Sequence, residues 1–383
     1  MRGGGYVAAV SDATFALHPG ECLALVGESG CGKSVLASAL LGLLPGNAET
    51  AGTAHLAGTA DAPPVDLIAA DERELSRTIR GRRVGLVPQS PSAHLTAVRT
   101  VRAQLEETVR ALTGTRRPKL RPAAEAAADR AAFPTDHLDR YPHQLSGGLA
   151  QRAATALALV GDAALLLADE PTTGLDRDLV ERTVDELRRH IAAGPPGTNG
   201  TTAPPPATGR DAADGPAPDA PPTATAPPGP TVRETAGLTS AAEEAAGGHS
   251  APAARALLMI THDLVAAERI ADRVAVMYAG RIVEISAARD FFGVPGPRHP
   301  YARRLLDALP ERSFTPIPGM PPELGDLPAG CAFAPRCDLA SDLCATLPVL
   351  RDAVACHHAP PAAPAAGGPA QPTEPDPDEA HHA

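Results

Sequence analysis

The string GESGCGKS, Gly27 to Ser34, concentrates the residue types that hold a polyphosphate. Gly27, Gly30 and Gly32 let backbone N–H groups turn toward an anion. Lys33 carries the charge for the β- and γ-oxygens, and Ser34 offers a hydroxyl to Mg²⁺. Glu28, Ser29 and Cys31 fill the variable slots of the loop, and Cys31 needs no redox role there. Lysine occurs only at Lys33 and Lys119 in the whole chain, so a chance glycine-rich turn is a poor account of this string. A second group follows in LLLADEP, where an apolar run ends on Asp169 and Glu170. Asp169 is placed to hold Mg²⁺ through water, and Glu170 to take the proton of an attacking water. Acids that end strands are common, so the weight comes from their order after the loop. In LSGGLAQR, Ser146, Gly147 and Gly148 open a helix, with a hydroxyl and backbone donors available to an anion. The plain alternative is an N-cap serine followed by two flexible glycines.

These groups need elements to carry them. ECLALVG (Glu21–Gly27) predicts a buried strand running into the loop, and Ser34–Leu44 predicts a helix leaving it. Residues 91–140 read as helical, with TVRAQLEETVRAL the clearest amphipathic piece. Residues 145–191 read as helix, buried strand (Ala164–Asp169) and helix; ALLMITHD (Ala256–Asp263) is another buried strand. VAVMYAGRIVEI (Val274–Ile285) predicts a hairpin about Ala279-Gly280. The expected fold class is therefore α/β, a P-loop ATPase core.

Composition sets the limits. A net charge of −11 disfavours a general nucleic-acid or anionic-membrane binder. Aromatic residues make up 3 %, with no Trp, so the core must be built from Leu, Val, Ile and Ala. No apolar run is long enough to span a bilayer, and MRGGGYVAAV lacks a signal-peptide pattern, so a soluble intracellular chain is expected. Residues 193–254 are Pro, Ala, Gly and Thr with scattered charge. Ordering them would cost about 1–2 kcal/mol per residue in backbone entropy with almost no apolar surface to offset it. That stretch and residues 359–383 are expected to be disordered.

Several of these strings together resemble the ATP-binding subunits of ABC transporters. LSGGLAQR is similar to the family's signature motif, Gln89 in VPQSP to its Q-loop, Asp176 in EPTTGLD to its D-loop, and His262 in ITHD to its switch histidine. The resemblance implies Mg-ATP as cofactor and Glu170, His262 and Gln89 as catalytic residues. It places Gly27 to Ser34, Ser146, Gly147, Gly148 and Asp176 against nucleotide, and Ser34, Gln89 and Asp169 on Mg²⁺. It further implies an antiparallel β subdomain, a helical subdomain near 91–160, and two ATPase chains, identical or related, closing on two ATP molecules. YPHQLSGG, VAVMYAGRIVE, RHPYARRLLDALP and PIPGMPPELGDLPAGCAFAPRC resemble the oligopeptide, dipeptide and nickel importers of that family. That narrower resemblance implies two membrane permease subunits, an extracellular substrate-binding protein, and a site on the cytoplasmic face of the membrane. The expected division is a nucleotide-binding domain over 1–285 and a C-terminal extension over 286–358. The family's adenine-stacking aromatic precedes the VAAV segment; Tyr6 is the residue available, in imperfect register.

Cys331, Cys337, Cys344 and Cys356 are spaced C-x5-C-x6-C-x11-C, without the tight pair of a zinc site or the run of a ferredoxin. Resemblance to cysteine blocks in peptide-importer ATPases implies a structural [4Fe-4S] cluster ahead of zinc or free thiols, with His357 and His358 as spare ligands. Two other classes compete with the importer reading. A soluble ABC ATPase acting on ribosomes or DNA would call for two cassettes or a coiled-coil insert and a more basic surface. A regulatory module with a dead ATP site conflicts with intact Lys33, Glu170 and His262. Replacing residues 193–254 with a short Gly/Ser linker is expected to leave basal ATPase rate and thermal midpoint unchanged. A large fall in either would mean that the segment packs or regulates.

Overall fold

The computed structural model describes residues 7–59, 62–161, 163–192 and 255–361. Tyr6, the insertion expected at 193–254 and the tail from 362 lie outside the described residues. The strands are β1 (Cys22–Val26), β2 (His55–Leu56), β3 (Val65–Asp66), β4 (Val84–Val87), β5 (Leu165–Asp169), β6 (Ala256–Thr261), β7 (Arg273–Tyr278) and β8 (Arg281–Ala287). The α-helices are α1 (Lys33–Leu40), α2 (Glu72–Glu74), α3 (Pro91–His94), α4 (Val101–Thr113), α5 (Arg117–Arg130), α6 (Gly147–Ala158), α7 (Arg177–Ala192), α8 (Leu264–Ile270), α9 (Ala288–Phe292) and α10 (Pro300–Asp307).

Six strands form one sheet in the order β4-β5-β6-β1-β7-β8, and β2 pairs with β3 in a separate antiparallel ribbon. The first five strands of that order are parallel; only β8 runs antiparallel, against β7. Every residue of β1 and β6 is buried, the continuous apolar run expected of a parallel strand covered on both faces. One face packs on α7 to α10 through Val184, Leu187, Ile270, Phe291 and Tyr301. The other packs on α1 and the β2–β3 region through Ala37, Leu67 and Leu75. A third core joins α4, α5 and α6 through Val101, Leu105, Ala124, Phe133 and Ala153.

Two local outcomes differ from expectation. The helix after the loop stops at Leu40 rather than Leu44, because Gly42 takes a left-handed turn and its N–H bonds back to Ala39. The helical stretch over 91–140 is divided into three α-helices and a 3₁₀ turn at Thr135–His137, and Gly114, also left-handed, caps α4. The hairpin matches its signal: Ala279 and Gly280 both have positive φ, as a two-residue turn of this kind requires. Among the described residues no helix is long and apolar enough to cross a membrane.

The segment after β8 has no core of its own. Tyr301, Leu306 and Phe333 belong to the cluster that covers the main sheet. Glu284, buried on β8, accepts N–H bonds from Arg298 at 2.9 Å and His299 at 2.7 Å and so fixes the entry to α10. His299 then caps the helix, its Nδ1 accepting from the Tyr301 N–H at 3.0 Å. Burial pulls the His299 imidazole down to about 4. An unfolded histidine takes its proton near pH 6.5, so acid favours unfolding from that pH down to about 4. We expect the wild-type chain to lose stability relative to a His299→Asn variant, by up to about 2 kcal/mol at pH 5, in thermal melts between pH 7 and 5. A constant difference across that range would contradict this assignment.

Candidate functional site

Four neighbouring parallel strands end at the same edge of the sheet, and each delivers one group. The phosphate loop follows β1, Gln89 follows β4, Asp169 and Glu170 close β5, and His262 follows β6. The crevice beyond the carboxyl ends of such strands is where ligands bind in open α/β sheets.

The loop's shape is set by close backbone approach. A Cβ on Gly27 would lie 2.2 Å from the Met277 carbonyl oxygen, and one on Gly32, at φ 107°, would lie 2.3 Å from that of Ala9. Both positions therefore require glycine. The Gly280 N–H donates to the Cys31 carbonyl at 2.9 Å, tying the loop to the hairpin turn. Lys33 is buried, and its ammonium donates to the Gly27 and Glu28 carbonyls at 2.8 and 3.0 Å. Cys31 is a buried thiol whose pKa is raised by burial, with the Lys33 charge pulling the other way, which fits a packing role.

Ser34 and Asp169 meet across the crevice, Oγ to Oδ1, at 3.1 Å. Burial raises the Asp169 pKa and the adjacent Glu170 adds to this, while the Ser34 hydrogen bond and the Lys33 charge oppose it. A hydroxyl beside a carboxylate at the loop's end is a hard-oxygen donor pair of the kind Mg²⁺ takes alongside phosphate. Glu170 is buried and held at φ 51°, an uncommon conformation for a non-glycine residue that is often found at working sites. Its N–H bonds to Ile260 on β6, and its Oε2 accepts from the Thr173 hydroxyl at 3.2 Å. The same oxygen lies 2.8 Å from Nδ1 of His262. A carboxylate only accepts, so a bond between them needs the proton on Nδ1. The two residues are joined although they end different strands.

Ser146 caps α6, its Oγ accepting from the Leu149 N–H at 3.3 Å. The space beside Gly147 is open, and Gly148 packs near Leu175 and Leu179. Asp176 accepts from the Leu179 N–H at 3.0 Å and so starts α7. The serine-glycine segment and Asp176 thus form a second cluster, on helix starts rather than strand ends.

Glu28 faces away from this chemistry. Its carboxylate receives a two-pronged ion pair from Arg336, at 2.7 and 2.9 Å, and its N–H donates to the Tyr301 hydroxyl at 2.8 Å. Neither Tyr301 nor Arg336 is singled out by sequence reading, because no local pattern joins residues that far apart. These contacts tie the C-terminal segment to the nucleotide loop.

The metal-cluster expectation for Cys331, Cys337, Cys344 and Cys356 is not supported. Among the described residues, no three His, Cys, Asp or Glu side chains are arranged to hold a metal ion, and all six cysteines are free. Burial raises the Cys331 and Cys356 thiols, and neighbouring cysteines add to it. The block is instead knitted by backbone bonds such as Cys331 N–H to Cys344 O at 2.9 Å. His357 and His358 bond to Thr346 and Ser341.

Comparison with known proteins agrees with this geometry. The ABC transporter family matches residues 10–173, and the oligopeptide/dipeptide transporter C-terminal region matches 283–344. A Brucella melitensis protein named for peptide import and ATP binding is 34 % identical, covering 92 % of this chain and 90 % of its own length. The oligopeptide transport ATP-binding protein OppD of Escherichia coli is 32 % identical over 91 % of this chain and 85 % of its own. A dimeric ATP-binding cassette solved in a post-hydrolysis state with ADP and Pi shares the fold. Its TM-score is 0.51 at 19 % identity, with 73 % of this chain and 91 % of that one covered. With the phosphate loop, the strand-end acids and the histidine in one crevice, the chain belongs to the ATP-hydrolysing subunits of ABC transporters, in their oligopeptide/dipeptide import branch.

Proposed function

We propose that this chain hydrolyses ATP with Glu170 as general base, and that its closure against a second ATPase chain powers peptide uptake through separate membrane subunits. The observation that carries this reading is the Glu170–His262 approach of 2.8 Å, beside the Ser34–Asp169 pair at 3.1 Å. Lys33 and the loop's backbone donors hold the phosphates. Ser34, Asp169 and Gln89 would hold Mg²⁺, which when bound offsets charge on the phosphate oxygens. Glu170 takes the proton of the attacking water, and His262 would donate a ring N–H to a γ-phosphate oxygen. Ser146, Gly147 and Gly148 serve the nucleotide of the opposite chain, with Asp176 beside them. The chain sits on the cytoplasmic face of the membrane against two permease subunits, and an extracellular binding protein chooses the cargo. A cluster at the four cysteines is no part of this reading; iron near four atoms per chain in protein purified without oxygen would restore it.

Glu170→Gln keeps the shape and removes the base. We expect hydrolysis to fall about 10²- to 10⁴-fold while ATP binding survives, because Lys33 and Ser34 are untouched. Uncleaved ATP should then hold two chains together. Light scattering with and without Mg-ATP, alone and with a related ATPase partner, reads that pairing. Hydrolysis at the wild-type rate would remove Glu170 as base. An inactive variant that never pairs would remove the two-chain mechanism.

A further inference from the structure

We propose that Arg336 and Tyr301, both from the C-terminal segment, are positioning residues for the phosphate loop: Arg336 neutralises Glu28, and Tyr301 fixes the Gly27–Glu28 peptide. The proposal rests on the phosphate-loop reading and extends it to residues that never touch the nucleotide.

The geometry acts on a single planar peptide unit. At one end, the Gly27 carbonyl accepts from Lys33 Nζ at 2.8 Å. At the other, the Glu28 N–H donates to the Tyr301 hydroxyl at 2.8 Å. The orientation of the peptide that docks Lys33 is therefore set from outside the loop. Tyr301 is fully buried, and its ring packs 4.5 Å from Tyr278 and 5.4 Å from Phe333, so the hydroxyl has little freedom to follow a moving loop.

Charge supplies the second part. Glu28 puts a carboxylate into a loop whose other atoms are arranged for an anion, and left bare it would repel a triphosphate. Arg336 cancels it with both arms of its guanidinium, a bidentate pairing that fixes angle as well as distance. Arg336 is itself held by the Pro318 carbonyl at 2.7 Å and the Tyr278 hydroxyl at 3.1 Å, and it is only 6 % exposed. A surface ion pair would have little effect, but this guanidinium is seated in the aromatic cluster with Tyr278 and Phe333.

The test is steady-state ATPase kinetics, with fluorescent-nucleotide binding, on the full chain. Arg336→Met leaves Glu28 unpaired, and KM for ATP should rise about tenfold with a smaller change in kcat. Adding Glu28→Gln to that variant removes the bare charge and should return KM to within about threefold of wild type. A merely structural contact would not produce that rescue. Tyr301→Phe keeps the packed ring and should raise KM about three- to tenfold, as expected for one lost hydrogen bond. Arg304→Ala is the control: it breaks the Arg304–Asp338 ion pair inside the C-terminal segment without touching the loop, and KM should stay at the wild-type value. If Arg336→Met does not fold, Arg336→Lys replaces it. Lysine keeps the charge but not the fork, so KM should rise by a smaller factor. Unchanged KM in both the Arg336 and Tyr301 variants overturns the proposal. So does an equal rise in Arg304→Ala, or a double variant no better than Arg336→Met. A wild-type chain that binds no ATP fails differently, because it would remove the phosphate-loop reading itself.

Discussion

Parallel pairing of β4, β5, β6 and β1 is the constraint on which the rest depends. Because these four strands run in one direction and sit side by side, their carboxyl ends open at one edge. Gln89, Asp169 with Glu170, His262 and the phosphate loop come from four places in a long chain, and the sheet alone brings them together. The register is fixed by burial. Side chains on both faces of β1, β5 and β6 are enclosed, so slipping one strand by a residue would exchange its two faces and misalign its terminal acid or loop. Asp169 and Ile260 face each other in the β5–β6 register, so Glu170 follows one residue after its strand partner and His262 two residues after its own.

The loop itself is held on three sides. The hairpin turn takes the Cys31 carbonyl through Gly280, the N-terminal segment crowds Gly32 at Ala9, and the C-terminal segment holds Glu28. Each contact comes from a different part of the chain, so the loop's conformation reports on the integrity of the whole nucleotide-binding fold. The C-terminal segment reaches the loop and adds its aromatic residues to the cassette's core. A segment built this way cannot loosen without disturbing the peptide that docks Lys33.

What could be read from the sequence was local and repeated in spacing. The loop, the strand-end acids, the serine-glycine helix start and the Ala279-Gly280 turn each lie within a few residues, and each has one physical solution. The buried strands were legible because CLALV is apolar throughout and ALLMIT up to its final Thr261. Interactions fixed by tertiary structure were not legible. Glu28 looks like a variable slot of the loop until Arg336, 308 positions away, is placed against it. The length of α1 turned on Gly42, a single left-handed residue inside an apolar run. The four-cysteine cluster was implied by resemblance alone, and no metal-holding group is found there among the described residues. In the fold that segment is organised by backbone bonds and by Phe333 and Arg336 instead.

The central claim is that four strand ends act on one nucleotide. Hydrogen exchange on the full chain, with and without a slowly hydrolysed Mg-ATP analogue, tests it most directly. The account predicts slower exchange together in the segments around Gly27–Ser34, Gln89, Asp169–Glu170 and His262, with the β2–β3 ribbon unchanged. Protection confined to the phosphate loop, or absent from the segment holding Glu170 and from that holding His262, would contradict it.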